Sequence, residues 1–364
     1  MTLPAASAAP PPKRVIDEAI RAIPAEWFKA SPAIYWSDFL LSATVGWAAF
    51  VLAVLSAGWI RVALFAVATA AIYRAVLFIH EITHRVQRDV PAFTFAWNAL
   101  VGVPLLVPSF LYEGVHTDHH RQRTYGTVAD PEYLPFGHRS PALIGGYVIA
   151  SLFAPLLFAL RFALLAPLSW ILPPLRRFVK EHLSALVINH LYVRQTPIPF
   201  AGRVQEVAAW ALCWTAALLL WSGRLPVAVL LGWAGVSAVA SGINAGRTLA
   251  AHRYDHDEHA SAELSMNEQL LDSCTISALS PQPQALVVRI ANVGRALVAP
   301  VGLRYHALHH WIPSLPYHNL GRAHRLLVSV LAPDALYGAT IEPGFTPALR
   351  DLVHRAGTRS QHGR

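Results

Sequence analysis

Six apolar blocks, residues 38–60, 62–79, 93–112, 142–171, 205–221 and 226–245, alternate with short polar stretches along the first two thirds of the chain. Several reach the roughly 20 residues that a helix needs to cross a bilayer. The first two meet at Gly58-Trp59-Ile60-Arg61 and read as a helical hairpin with an interfacial Trp at its turn. The last two, broken at residues 222–226, read as a second hairpin. Pro104 and Pro108 interrupt 93–112, while Pro155 and Pro167 interrupt 142–171. A broken backbone inside lipid must be packed against protein, so 93–112 reads as a re-entrant or surface-embedded element. The block 142–171 reads as an interfacial segment or a further hairpin. The expected fold is all-α and integral to the membrane, with about four transmembrane helices in two hairpins, interfacial helices and a cytosolic helical cap.

The ends differ from the middle. The start, MTLPAASAAPPPKR, has no apolar run before its basic pair and reads as a disordered tail, not a cleavable signal. Ile16, Ile20, Ile23 and Trp27 follow at helical spacing, and Pro24 divides them into a short surface-lying helix. Beyond residue 250 the chain turns polar, which predicts short cap helices between 264 and 310 and a basic, poorly ordered end after Leu349. The expected division is therefore 1–35 for the tail and interfacial helix, 36–330 for the membrane domain and 331–364 for a partly disordered extension.

Composition agrees with the pattern: 54% of the 364 residues are hydrophobic and 14% charged, where a soluble chain carries about 25% charged residues. The net charge of +8 is almost all arginine. On a membrane protein it points to topology and lipid contact and away from nucleic acid. Arg176, Arg177, Lys180, Arg194 and Arg203, together with Lys13 and Arg14, place the termini on the cytoplasmic side. Cys213 and Cys274 form neither a CxxC pair nor a disulfide framework.

Three histidine clusters stand out against this background: His80-Glu81-Ile82-Thr83-His84, His116-Thr117-Asp118-His119-His120 and His306-Ala307-Leu308-His309-His310. With 18 histidines in 364 residues, a given HxxHH arises by chance in roughly 0.04 of such chains, and here there are two. On a helix, positions i, i+3 and i+4 share a face, so each triplet is expected to converge. Gathered imidazoles need partners and repel one another when protonated; a metal answers both needs. Sharing one site requires all three clusters to lie on one side of the membrane, which is the second reason why 93–112 and 142–171 should not each cross once. Eight imidazoles exceed the needs of one zinc ion and suit a pair of irons with open positions. His252, where the last apolar block ends, supplies a ninth; His256, one turn on, is its substitute, and Asn244 is a neighbour acting through water. Glu81, Asp118, Asp130 and His318 are candidates to accept or orient the ligand rings. No catalytic side chain is expected beyond the metal centre.

His80–His84 also matches HExxH, the zinc-protease helix with Glu81 as general base, but a protease has no use for two further triplets. A bis-histidine haem carrier is the reading from outside the enzymes. The order HxxxH, HxxHH, a second hairpin and HxxHH resembles the membrane fatty-acid desaturase superfamily over about residues 35–330. The resemblance implies a non-haem centre of two Fe ions on the cytoplasmic face, O2 as co-substrate and attack on unactivated C–H bonds of a lipid or fatty-acyl chain. It implies desaturation first, with hydroxylation of a lipid, alkane or carotenoid as the alternative. Apolar walls from the second and fourth membrane helices would then form an acyl tunnel. Stearoyl-type members carry an Asn four residues before the extra His, where this chain has Thr248. It shows no His-Pro-Gly-Gly haem signature, so electrons are expected from a separate donor such as ferredoxin or cytochrome b5 with its reductase.

Overall fold

The computed structural model describes residues 20–256, 263–277, 286–332 and 335–362. The tail over 1–14 and the start of the interfacial helix lie outside them. The fold is all-α and of integral-membrane type, with five helices long and apolar enough to cross a bilayer, one more than the sequence suggested. They are α1 (Pro32–Leu55), α2 (Gly58–His84), α5 (Ala154–Ile171), α7 (Phe200–Trp221) and α8 (Val227–Leu249). Between and after them come α3 (Val115–His119), α4 (Pro141–Leu152) and α6 (Pro173–His182). The cap adds α9 (Met266–Asp272), α10 (Leu286–Val298), α11 (His306–Trp311), α12 (Tyr317–Val330) and α13 (Phe345–His362).

The first hairpin packs at van der Waals distance because Gly46 has no side chain. A Cβ there would lie 2.7 Å from Ile72 Cγ1 and 3.1 Å from the Ile72 nitrogen. Gly58 takes φ +59° at the turn, a conformation that only glycine adopts without strain. Residues 93–112 form no straight helix. A short helix, Phe93–Trp97, runs into a π-type turn, Asn98–Gly102, and the chain returns to a 3-10 turn, Ser109–Leu111. Asn98 closes this loop: its Oδ1 accepts from the Ser109 nitrogen at 2.8 Å and its Nδ2 donates to Ser109 Oγ at 2.7 Å. The freed backbone groups are thus satisfied by protein.

The block 142–171 is two consecutive helices, with Phe153 between α4 and α5. Pro155 and Pro167 sit in first turns, where a missing N–H costs nothing, and a π-type segment, Arg161–Leu165, separates them. Proline therefore does not stop α5 from reaching membrane length. α8 packs against α2, α4 and α5.

The end of the chain also departs from expectation. Instead of losing order after Leu349, it forms α13, whose Leu352 and Ala356 are fully buried against α4 and the turn Phe136–His138. Two short parallel strands, β1 (Thr275–Ile276) and β2 (Ile341–Glu342), tie this end to the cap beneath α11. An aromatic cluster of Tyr35, Phe39, Phe78, Phe93 and Tyr317 joins α1, α2 and α12 beside the first histidine box.

Candidate metal centre

All nine imidazoles singled out above come together, in two groups. His80, His84, His116, His120 and His309 form one; His119, His252, His306 and His310 form the other, with ligand atoms in each group within 4.8 Å of one another. Neither triplet converges as a unit. On α3, His116 and His120 serve the first group and His119 the second; on α11, His306 and His310 serve the second and His309 the first. Positions i and i+4 point the same way, whereas i+3 is turned off their axis. Two short helices facing each other therefore exchange their middle histidines and knit the groups together. His120 stacks on His310 with ring centroids 4.4 Å apart.

The first box reaches the site through a change of helix type. α2 ends in a π-type turn, Ile82–Val86, in which His84 leaves helical geometry at φ −98°, ψ −106°. This re-aims His84 toward His309, ring centroids 4.5 Å apart, beside His80.

Behind the rings stand carboxylates. His119 Nδ1 lies 2.9 Å from Asp130 Oδ1, and both groups are fully buried. His116 Nδ1 is 2.5 Å from Glu132 Oε1, with the Tyr112 hydroxyl donating to the other Glu132 oxygen at 3.0 Å. The Tyr125 hydroxyl donates to Asp272 Oδ2 at 2.8 Å and lies 2.8 Å from His252 Nδ1, so His252 Nδ1–H must be the donor to it. Each of these three imidazoles has its proton fixed on Nδ1 and turns the Nε2 lone pair inward. Inward nitrogens face one another: His306 and His252 Nε2 are 2.8 Å apart, His310 and His306 3.1 Å, His309 and His120 3.1 Å.

The arrangement fits metal ions. Both nitrogens of His80, Nε2 of His84 and His119, and Nδ1 of His306 are buried without a hydrogen-bond partner, a costly state unless an ion takes the lone pairs. Burial, then the neighbouring imidazoles, holds His116, His120, His306, His309 and His310 well below the usual histidine range. They are neutral near neutral pH, the ligand form. Burial would also push His119 down, but Asp130 and the carboxylates beyond it outweigh burial and raise it. Burial pushes the Asp272 carboxyl up, yet the hydrogen bonds it receives hold it below its usual range.

Five of the supporting residues named from sequence sit elsewhere. Asp118 pairs with Arg121 at 2.5 Å and accepts from the Tyr192 hydroxyl at 2.7 Å, because i+3 favours the arginine on its own flank. Asn244 Oδ1 accepts from Arg247 at 3.1 Å. His256 belongs to neither group; its backbone nitrogen donates to the Tyr133 hydroxyl at 3.0 Å, since α8 has ended and the chain is no longer helical there. His318 accepts from the Ser31 nitrogen at 3.2 Å, at the start of α1. Glu81 accepts from the Tyr35 hydroxyl and is 3.7 Å from His80 Nδ1, beyond hydrogen-bond reach. Asp130 alone stands where expected. Glu132, Asp272, Tyr112 and Tyr125 were missed. Glu132 had a signal, lying two residues past Asp130; Asp272 and Tyr125 had none, being joined to His252 only by folding.

An apolar groove of about 760 Å³ runs between α2 and α8, lined by Phe65, Thr69, Tyr73, Leu231, Val236 and Ile243 and flanked by Leu297 and Val298 of α10. Its volume and lining suit a lipid chain.

Residues 57–340 match the family model for fatty acid desaturases. A ceramide hydroxylase from Caulobacter vibrioides (strain NA1000 / CB15N) is 41% identical over 339 residues, covering 91% of each chain. A family match over most of the chain and a relative aligned nearly end to end agree with the membrane helices and the histidine groups: the chain belongs to the fatty acid desaturase family.

Proposed function

We propose that the protein is an O2-dependent lipid hydroxylase that acts on ceramide-type lipids at a di-iron centre held by the nine histidines. The observation that carries this reading is the near end-to-end similarity to the ceramide hydroxylase. It favours the alternative of the sequence reading over desaturation. The overall change is insertion of one oxygen atom into a C–H bond, with the second atom leaving as water and two electrons and two protons supplied from outside. A bound iron pair would supply the oxidising power for C–H attack that no side chain possesses. His80, His84, His116, His120 and His309 would hold one ion, and His119, His252, His306 and His310 the other. Asp130, Glu132 and the Tyr125–Asp272 pair fix the tautomers of three of them. The groove between α2 and α8 would seat the acyl chain and exclude water. The electron donor in this reading is a separate protein of ferredoxin or cytochrome b5 type, and the basic segments support a site on the cytoplasmic side.

The test is mass spectrometry of lipids from cells that make ceramide and express the protein, beside cells expressing His309→Ala. A ceramide heavier by one oxygen, absent with the variant, is expected. A product lighter by two hydrogens would return the assignment to desaturation.

A further inference from the structure

Arg247 is a cation on α8, one turn beyond Ile243 at the inner end of the apolar groove. It also stands five residues before His252, a member of the second histidine group. It therefore stands where the groove meets the histidine groups. Its side-chain hydrogen bonds go to neutral acceptors on its own helix: Nε and Nη2 to Asn244 Oδ1 at 3.1 Å each, and Nη2 to Thr248 Oγ1 at 2.8 Å. Thr248 in turn donates to the Asn244 carbonyl at 2.8 Å, so the three residues form one braced unit. Among the described residues no carboxylate lies within ion-pair distance of the guanidinium. Arg247 is half-buried, and a guanidinium has five N–H donors in a fixed fork. Leaving such a group at the head of an apolar groove is unfavourable unless a ligand oxygen completes it.

We propose that Arg247, braced by Asn244 and Thr248, forms a polar subsite that binds the amide carbonyl of a ceramide-type substrate. This rests on the proposed lipid hydroxylase reading and deepens it. With the carbonyl held there, the acyl chain descends along Phe65, Thr69 and Leu231 toward Arg61 at the far end of the groove. The carbons nearest the polar linkage are then the ones presented to the histidine groups. The Asn244 side chain, which does not reach the histidines, acquires a role as the positioning residue for the guanidinium.

The experiment measures binding of a saturated long-chain ceramide and of its neutral ether analogue, in which O–CH2 replaces the amide. Both are titrated against the full-length, metal-loaded protein in detergent, with product position read by fragmentation mass spectrometry. Wild type should bind the ceramide roughly tenfold to a hundredfold more tightly than the ether, the range for a hydrogen bond to a charged donor. Arg247→Met should bind both equally, with unchanged metal content and with oxygen scattered along the chain. Arg247→Lys should keep part of the preference. Equal affinities in wild type overturn the subsite even if Arg247→Met does not fold, and so does a retained preference or unchanged product position in that variant. If wild type hydroxylates ceramide without discriminating the ether, only the subsite falls. If it yields no hydroxylated ceramide, the functional reading falls and takes the subsite with it.

Discussion

The nine imidazoles receive unequal support at the nitrogen turned away from each group. His119 and His116 rest on Asp130 and Glu132, and His252 on the Tyr125–Asp272 relay. Removing such a partner commonly costs tenfold to a hundredfold in metal affinity, on the order of the effect expected for Asp130→Asn and Glu132→Gln. Metal content after dialysis against a graded chelator series reads this directly. Asp118→Asn, although it alters a residue between two histidines, should leave metal content unchanged, because Asp118 serves Arg121 and Tyr192. An effect as large as that of Asp130→Asn would contradict this division. The metal-free protein should also depend on pH. Five of its histidines outside the membrane helices are held below the ordinary value of 6.5 by burial and by one another. The unfolded chain then binds more protons than the folded one just below that value, so stability is present above it and is lost as pH falls through it. Melting of chelated protein should occur at lower temperature at about pH 5 than at about pH 7.5, and a flat profile would contradict the assignment of neutral imidazoles.

At the scale of elements, close packing and helix irregularity do most to place the site. Gly46→Val would drive a side chain into Ile72 and separate α1 from α2, the helix that carries the first box. Overpacking of this kind costs about 1–3 kcal/mol. Reduced thermal stability in detergent, with Gly46→Ala intermediate, is the expected result. Leu352→Ala tests α13 in the same way. Its side chain is fully buried, and losing it costs about 2–5 kcal/mol if the helix is a structural part of the cap. A melting temperature equal to that of wild type would mean that α13 is dispensable. The π-type turn Ile82–Val86 is the element that sequence periodicity could not foresee. HxxxH at regular helical spacing stacks its two rings on one line, whereas here the turn widens and moves His84 across toward α11.

For the whole molecule, two ions held by α2 and by three further segments, α3, the chain at His252 and α11, would amount to a set of crosslinks between membrane and cap. Stripping them should lower the melting temperature by several degrees, and restoring iron should recover it in a concentration-dependent way. A transition indifferent to metal would show that the groups are not a binding site. The sequence by itself determined the materials: apolar blocks of bilayer length, two HxxHH triplets too improbable to be surface histidines, and His252 at the end of the last apolar block. These are local quantities, fixed by hydrophobicity and by the 3.6-residue period, and they were enough to anticipate an all-α membrane fold and to name all nine imidazoles. Only the tertiary structure decided how they divide, five and four with the middle histidine of each triplet exchanged. It also decided that Asp130 and Glu132 stand against the rings and Asp272 behind Tyr125, not Asp118 or Asn244, and that proline leaves α5 long enough to span. Each of these depends on which helix faces which. Packing sets that relation through contacts distant in sequence, and no spacing along the chain records it.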